Sequence, residues 1–212
     1  MARPAGVRNQ DFEQKKQALT DKLLAFVLRD GVERPSFRQL AIAAETSEPT
    51  LRHYFTDRTG LIIHLLEQIT ERSVPLREAL SQPQDSLDDA VTGYFRQMAV
   101  LTKTDGYVRV HAFGIREAMG DEGIQKFYLK QFLSAGIDSV AERLVRSKDG
   151  LTTFDEARHA AILIVSASLL RVVHQEVLKG KVHQPLDEEA YFDRVGKWLL
   201  DGLRSSKGPS GK

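Results

Sequence analysis

The chain has 212 residues, 42% of them hydrophobic and 28% charged, an ordinary globular balance with room for a small unit and one larger domain. Cysteine is absent, which excludes a disulfide framework and thiolate chemistry, and no stretch approaches the ~20 uninterrupted apolar residues of a membrane span. The formal net charge is +1, and residues 1–60 carry ten Lys/Arg against eight Asp/Glu, so nucleic-acid binding has to be argued from motif and local charge.

Residues 1–10 contain Pro4 and Gly6 and lack apolar periodicity, which predicts a disordered arm. Arg3 and Arg8 leave two readings open, a solvated tail or an arm reaching a phosphate or the minor groove. No apolar run follows these charges, so a signal peptide is not expected and a cytoplasmic location is. Asp11 to Arg29 is predicted helical, with Leu19, Leu23, Phe26 and Val27 on one face and Asp30-Gly31 closing it.

The stretch Ser36 to Leu61, SFRQLAIAAETSEPTLRHYFTDRTGL, predicts two short helices joined by a tight turn and the start of a third. Ser36 and Gln39 form a capping-box pair, and Phe37, Leu40, Ala41 and Ala44 fall on one buried face. Ser47 is the next N-cap, with Pro49 in the first turn, where a missing N–H costs little. The second helix, Glu48 to Phe55, turns Leu51 and Phe55 inward and is too short to stand alone. Its use is the presentation of polar side chains.

At Ser36, Arg38, Leu40, Ala41, Ala44, Ser47, Thr50, Leu51, Tyr54, Phe55, Arg58 and Leu61 the sequence resembles the tetracycline-repressor (TetR) family of bacterial transcription regulators. It departs from the family pattern at Glu45 for the turn glycine, Thr46 for valine, Arg52 for tyrosine and Arg58 for lysine. The resemblance implies an all-α fold. Residues 11–56 would form a three-helix DNA-binding domain with a helix-turn-helix, and residues 57–204 a larger helical regulatory and dimerisation domain. Residues 205–212 would be a disordered tail. It also implies a ligand-responsive regulator, a repressor in the commonest form, that binds a palindromic double-stranded operator as a homodimer and is released by a small-molecule effector. The expected DNA-contacting residues are Arg38, Ser47, Glu48, Pro49, Thr50, Arg52, His53, Tyr54 and Arg58. Arg52 can fork onto guanine O6 and N7. Arg58 matches the family's phosphate-binding lysine. Glu48 accepts from a cytosine amine or simply complements the helix dipole.

Beyond this, Asp57 can cap a helix with Leu61, Ile62, Leu65, Leu66 and Ile69 on its face, which Pro75 ends or bends. Further helices are predicted over Asp85–Leu101, Tyr107–Met119, Ile124–Arg146, Phe154–Lys179 and Asp187–Leu203. The resemblance places an apolar effector pocket in the middle helices, for which Phe95, Met98, Tyr107, His111, Ile115, Phe132 and His174 are candidates. The bland reading of each is ordinary core, and for His111 a satisfied core histidine. Ala160–Val173 is apolar on almost every side and must be surrounded by protein. Its short length and polar flanks argue against a membrane. With the last helix (about 154–179 and 187–203) it suggests a two-fold dimer interface, the alternative being an internal core. Glu156-x-x-His159 is half of a di-iron carboxylate pattern whose second half is missing, and no phosphate loop, dinucleotide fingerprint or nucleophile elbow is present. No metal, cofactor or catalytic residue is therefore expected. A helical metal-binding or enzymatic bundle with an incidental helix-turn-helix is the alternative reading.

Overall fold

The computed structural model describes residues 5–29 and 31–206, so Arg3, Asp30, the Arg8 side chain and residues 207–212 of the expected tail lie outside the described residues. Every element among the described residues is helical. The chain packs as two compact units, Met1–Glu71 with Arg109–Tyr128, and Arg72–Val108 with Leu129–Lys212. This division differs from a single boundary at residues 56/57. Three short helices cannot bury enough surface alone, and the first unit takes two further pieces of chain.

In the first unit, α1 (Ala5–Val27) begins earlier than Asp11, so part of the expected arm is helical. It buries Thr20, Leu23, Leu24 and Val27 and is closed by Gly31 at φ 75°. Helix α2 (Phe37–Ala43) starts from the expected capping box. The Ser36 hydroxyl accepts from the Gln39 amide at 3.2 Å, and the Ser36 amide donates to Gln39 Oε1 at 2.8 Å. Glu45 makes the turn at φ 54°, the left-handed conformation that a glycine would adopt more readily. Lys22 reaches Glu45 at 2.5 Å across this corner. Helix α3 (Glu48–Phe55) has the expected bounds.

The next corner is tighter. Thr56 sits at φ 66°, ψ −64°, and the Asp57 amide donates back to the Phe55 carbonyl at 2.8 Å, a γ-turn. A Cβ on Gly60 would stand 2.6 Å from that same carbonyl, so the corner needs glycine there. The Asp57 carboxylate accepts from the Gly60 amide at 2.8 Å and caps α4 (Arg58–Arg72), whose Leu61, Ile62, Leu65 and Leu66 are all fully buried.

Helix α4 stops before Pro75, and Pro75 opens a new helix, α5 (Val74–Ser81), in its first turn. Helix α6 (Leu87–Leu101) follows, then α7 (Asp105–Ala118), which rejoins the first unit from Arg109 onward, and α8 (Glu122–Phe127). The helix expected over Ile124–Arg146 is interrupted by a π-helical stretch, Tyr128–Leu133, before α9 (Ser134–Arg146). Helix α10 (Phe154–Val172) also ends in a π-helical turn, Val173–Val177. The short α11 (Gly180–His183) and α12 (Glu188–Ser206) complete the described chain, so Ser205 and Ser206 of the expected tail are helical.

The core of the second unit joins Val91, Tyr94 and Met98 of α6, Val140 and Leu144 of α9, Ala157, Ala161 and Ile164 of α10, and Phe192 and Leu200 of α12. Phe154–Val177 is longer than its apolar centre suggested, and by length and composition it could cross a membrane. Its inward face is nevertheless not uniformly apolar. Ser168, Arg171 and Gln175 are buried there at helical spacing. The Arg171 guanidinium pairs with Glu188 and lies 3.4 Å from Glu176, while Gln175 donates to the Gln184 carbonyl and accepts from the Leu186 amide. These bonds tie the loop before α12 to α10. The outward face carries Leu163, Leu170 and Val177 in the open, the first two at 59% and 67% exposure.

Candidate nucleic-acid interface

Helix α3 is fixed by its two buried residues, Leu51 and Phe55, and by its ends. The Ser47 hydroxyl accepts from the Thr50 amide at 3.3 Å and lies 2.9 Å from the Thr50 hydroxyl. That pair holds both hydroxyls at the helix N-terminus, where the backbone N–H groups and the dipole favour an anion. Of the remaining side chains on this helix, Pro49, Arg52 and His53 are exposed, and Glu48, Thr50 and Tyr54 are half-buried. Arg38 on α2 is exposed as well.

Two contacts orient this polar surface, and neither was foreseen. The Arg52 guanidinium lies over the Phe37 ring, 5.1 Å from its centroid, so a cation–π contact restricts a side chain that would otherwise sample solvent. Phe12 of α1 packs on two residues of α3 at once, Tyr54 at 4.7 Å and His53 at 5.5 Å between ring centroids. Phe12 lies two turns back on the stripe formed by Leu19 and Leu23, and extending that stripe through Lys16 would have found it.

Arg58 is placed differently from the expectation that it holds a phosphate. Its Nε donates to the Pro35 carbonyl at 2.8 Å and its Nη2 to both Glu117 oxygens at 2.9 and 2.8 Å. Glu117, on α7, is only 1% exposed, and Arg34 approaches it at 3.7 Å while donating to the Gly120 carbonyl. One turn further on, Thr59 donates to Asp121 at 2.6 Å, and that hydrogen bond, with those from backbone amides, holds the Asp121 carboxyl below its usual range. Arg58 is therefore a bracket inside the first unit, fastening the start of α4 to the end of α7. No local signal in the sequence marks Glu117 as its partner, 59 residues away.

Behind the surface, the His64 ring meets Thr20 Oγ1 at 3.1 Å and packs on Phe55 at 5.3 Å, and burial lowers its pKa. The Thr20 hydroxyl already donates to the Lys16 carbonyl, so it accepts from His64 Nε2–H, which leaves Nδ1 facing Glu67 at 3.6 Å.

The effector candidates divide between the units, His111 and Ile115 in the first and Phe95, Met98, Tyr107, Phe132 and His174 in the second. In the second unit the Tyr107 hydroxyl donates to Met98 Sδ at 3.5 Å, and burial pushes the phenol up to about 12. Tyr94 bonds Ser168 and is raised further by burial. Phe95 stacks on Phe192 at 5.2 Å beneath an outer groove, and His174 Nδ1 accepts from Gln175 at 2.6 Å. In the first unit burial lowers His111 to about 4, with Tyr128 Oη 3.4 Å from its Nδ1. Among the described residues no group of three or more His, Asp or Glu side chains is placed to hold a metal ion, Glu156 and His159 included.

Comparison of the whole chain with solved structures finds the same arrangement of helices. A protein from Mesorhizobium loti described as a TetR-family transcriptional regulator matches with a TM-score of 0.66 at 16% identity, over 90% of this chain and 96% of that one. The chain has the fold of TetR-family transcriptional regulators. GusR of Salmonella enterica matches at a TM-score of 0.64 and 15% identity, over 90% of this chain and 96% of its own. A TetR transcriptional regulator from Agrobacterium tumefaciens matches at 0.58 and 18% identity, over 89% and 93%. No protein-family model matches the sequence, and no curated protein matches it.

Proposed function

We propose that this chain is a homodimeric DNA-binding transcription regulator that represses from a palindromic operator and is released by a small-molecule effector. The observation that carries the reading is α3 itself. An eight-residue helix with only Leu51 and Phe55 buried, capped by Ser47, keeps its polar surface outside. That is what insertion into a major groove requires. The TetR-like fold supports it. Arg38, Ser47, Glu48, Pro49, Thr50, Arg52, His53 and Tyr54 form the proposed DNA surface. Arg58 is left out of it, because its guanidinium is already engaged. The second copy is proposed to dock through the exposed Leu163 and Leu170 of α10 and Trp198 of α12, which is 67% exposed. The effector is proposed to reach the buried polar groups of the middle helices, Tyr107 of the second unit among them. Effector and operator then weaken each other by the same factor.

The test is a selection of bound sequences from random duplex DNA, followed by titration of the selected operator at several salt concentrations. A palindromic site with affinity falling steeply in salt is expected. Arg52→Ala should cost about 1–3 kcal/mol on the selected site and relax one base position. Equal losses on selected and scrambled DNA would remove the base-reading role.

A further inference from the structure

The outer surface of the second unit holds a groove of ≈ 790 Å³ between α6 and α12. Its floor is apolar, Phe95 stacked on Phe192 with Leu200 beside them. The helices run antiparallel there, since Asp88 at the start of α6 pairs with Arg204 near the end of α12. The two walls differ in sign. Arg96 and Lys103 line the α6 side, and neither is in an ion pair among the described residues. Glu189, Asp193 and Asp201 line the α12 side with Lys197 among them, likewise without ion pairs among the described residues. At one end of the groove the Asp88–Arg204 pair joins the two walls, and among the described residues the charges further along make no such pair across it. Val100, on the rim, is 66% exposed.

We propose that this groove is an interface between copies of the chain, distinct from the α10/α12 dimer face, through which dimers pair. A surface with one cationic and one anionic wall is self-complementary about a two-fold axis running along the groove. The α6 cations of one copy then face the α12 carboxylates of the other, twice. A rotation across the groove would place like charges together, so the charge pattern also selects the orientation. The contact is rich in charge and poor in exposed apolar area, and it is accordingly weak and salt-sensitive. It would let two bound dimers support each other on neighbouring sites.

Sedimentation velocity of the full chain tests this without DNA, so its outcome is separate from that of the operator experiment. The wild type is expected to associate beyond the dimer at low salt, with the association weakening about tenfold or more as salt rises from about 50 mM to about 500 mM. Arg96→Glu with Lys103→Glu should abolish that association and leave the dimer. Adding Glu189→Lys with Asp193→Lys to the same chain should restore it, which misfolding cannot imitate. A dimer that is independent of concentration at low salt, association unaffected by the charge reversal, or failure of the combined variant to recover would each overturn the proposal.

Discussion

At the scale of single residues, the Arg58–Glu117 pair decides what a mutation near α3 means. Removing Glu117 takes the carboxylate partner from a guanidinium that is 23% exposed and leaves it the Pro35 carbonyl. Breaking a buried pair from one side costs more than the pair is worth. Glu117→Ala should lower stability by about 2–3 kcal/mol, less than for a fully buried partner because Arg58 keeps some water. Urea unfolding would show it. Arg58→Ala should likewise register in stability before it registers on DNA. Glu45 gives a second case. Its left-handed backbone disfavours it, and its bond to Lys22 favours it. Glu45→Gly should leave the thermal midpoint nearly unchanged, and Glu45→Ile, β-branched at positive φ and without the bond, should lower it. His111 sets a pH dependence. Burial drops its pKa from 6.5 to about 4, so the unfolded chain takes the proton first as pH falls. Its contribution to stability is complete above about pH 6.5 and is lost on the way down to about pH 4. His64 is lowered by burial too and adds in the same direction. Urea midpoints from about pH 7.5 to about pH 4.5 should fall in the wild type and fall less in His111→Leu.

At the scale of elements, legibility follows how local the cause is. The bounds of α2 and α3 were readable because Ser36, Gln39 and Ser47 supply the caps within three residues of the amides they bond. The interruption at Tyr128–Leu133 was not, since a π-helical turn shifts the register without changing residue types. The membership of Arg109–Tyr128 in the first unit was not readable either, because Glu117 and Asp121 find their partners on α4 only after folding. For the same reason the short polar helix α3 was legible, and the contacts that orient its surface, Phe12 and the stacking of Arg52 on Phe37, were not. The α6–α9 junction depends on a similar remote fit. Arg143, 2% exposed with no carboxylate in ion-pair reach among the described residues, donates to the Ala90 carbonyl at 2.9 Å, and its Nη2 would stand 2.6 Å from a Cβ on Gly93. Gly93→Ala gains helix propensity but displaces a buried cation. The displacement should win, lowering stability by about 1–3 kcal/mol in urea unfolding.

At the scale of the whole molecule, the described chain leaves several large apolar side chains uncovered. Leu163, Leu170 and Trp198 are each more than half exposed, and they sit on helices whose other faces build the core of the second unit. A helix that is apolar on nearly all sides needs protein on nearly all sides. In the proposed dimer a second copy would supply it with the same two helices, and the proposed palindromic operator would present its half-sites in successive major grooves about 34 Å apart. Binding by both halves adds their free energies, so loss of the dimer should cost far more than loss of any one base contact. Trp198→Glu puts a charge in the middle of the proposed contact. It should sediment as a folded monomer with unchanged helical circular dichroism, and its affinity for the selected palindrome should fall by about a hundredfold or more, to the level of a single half-site. A Trp198→Glu protein that remains dimeric and binds the palindrome as before would place the contact between copies elsewhere on the chain.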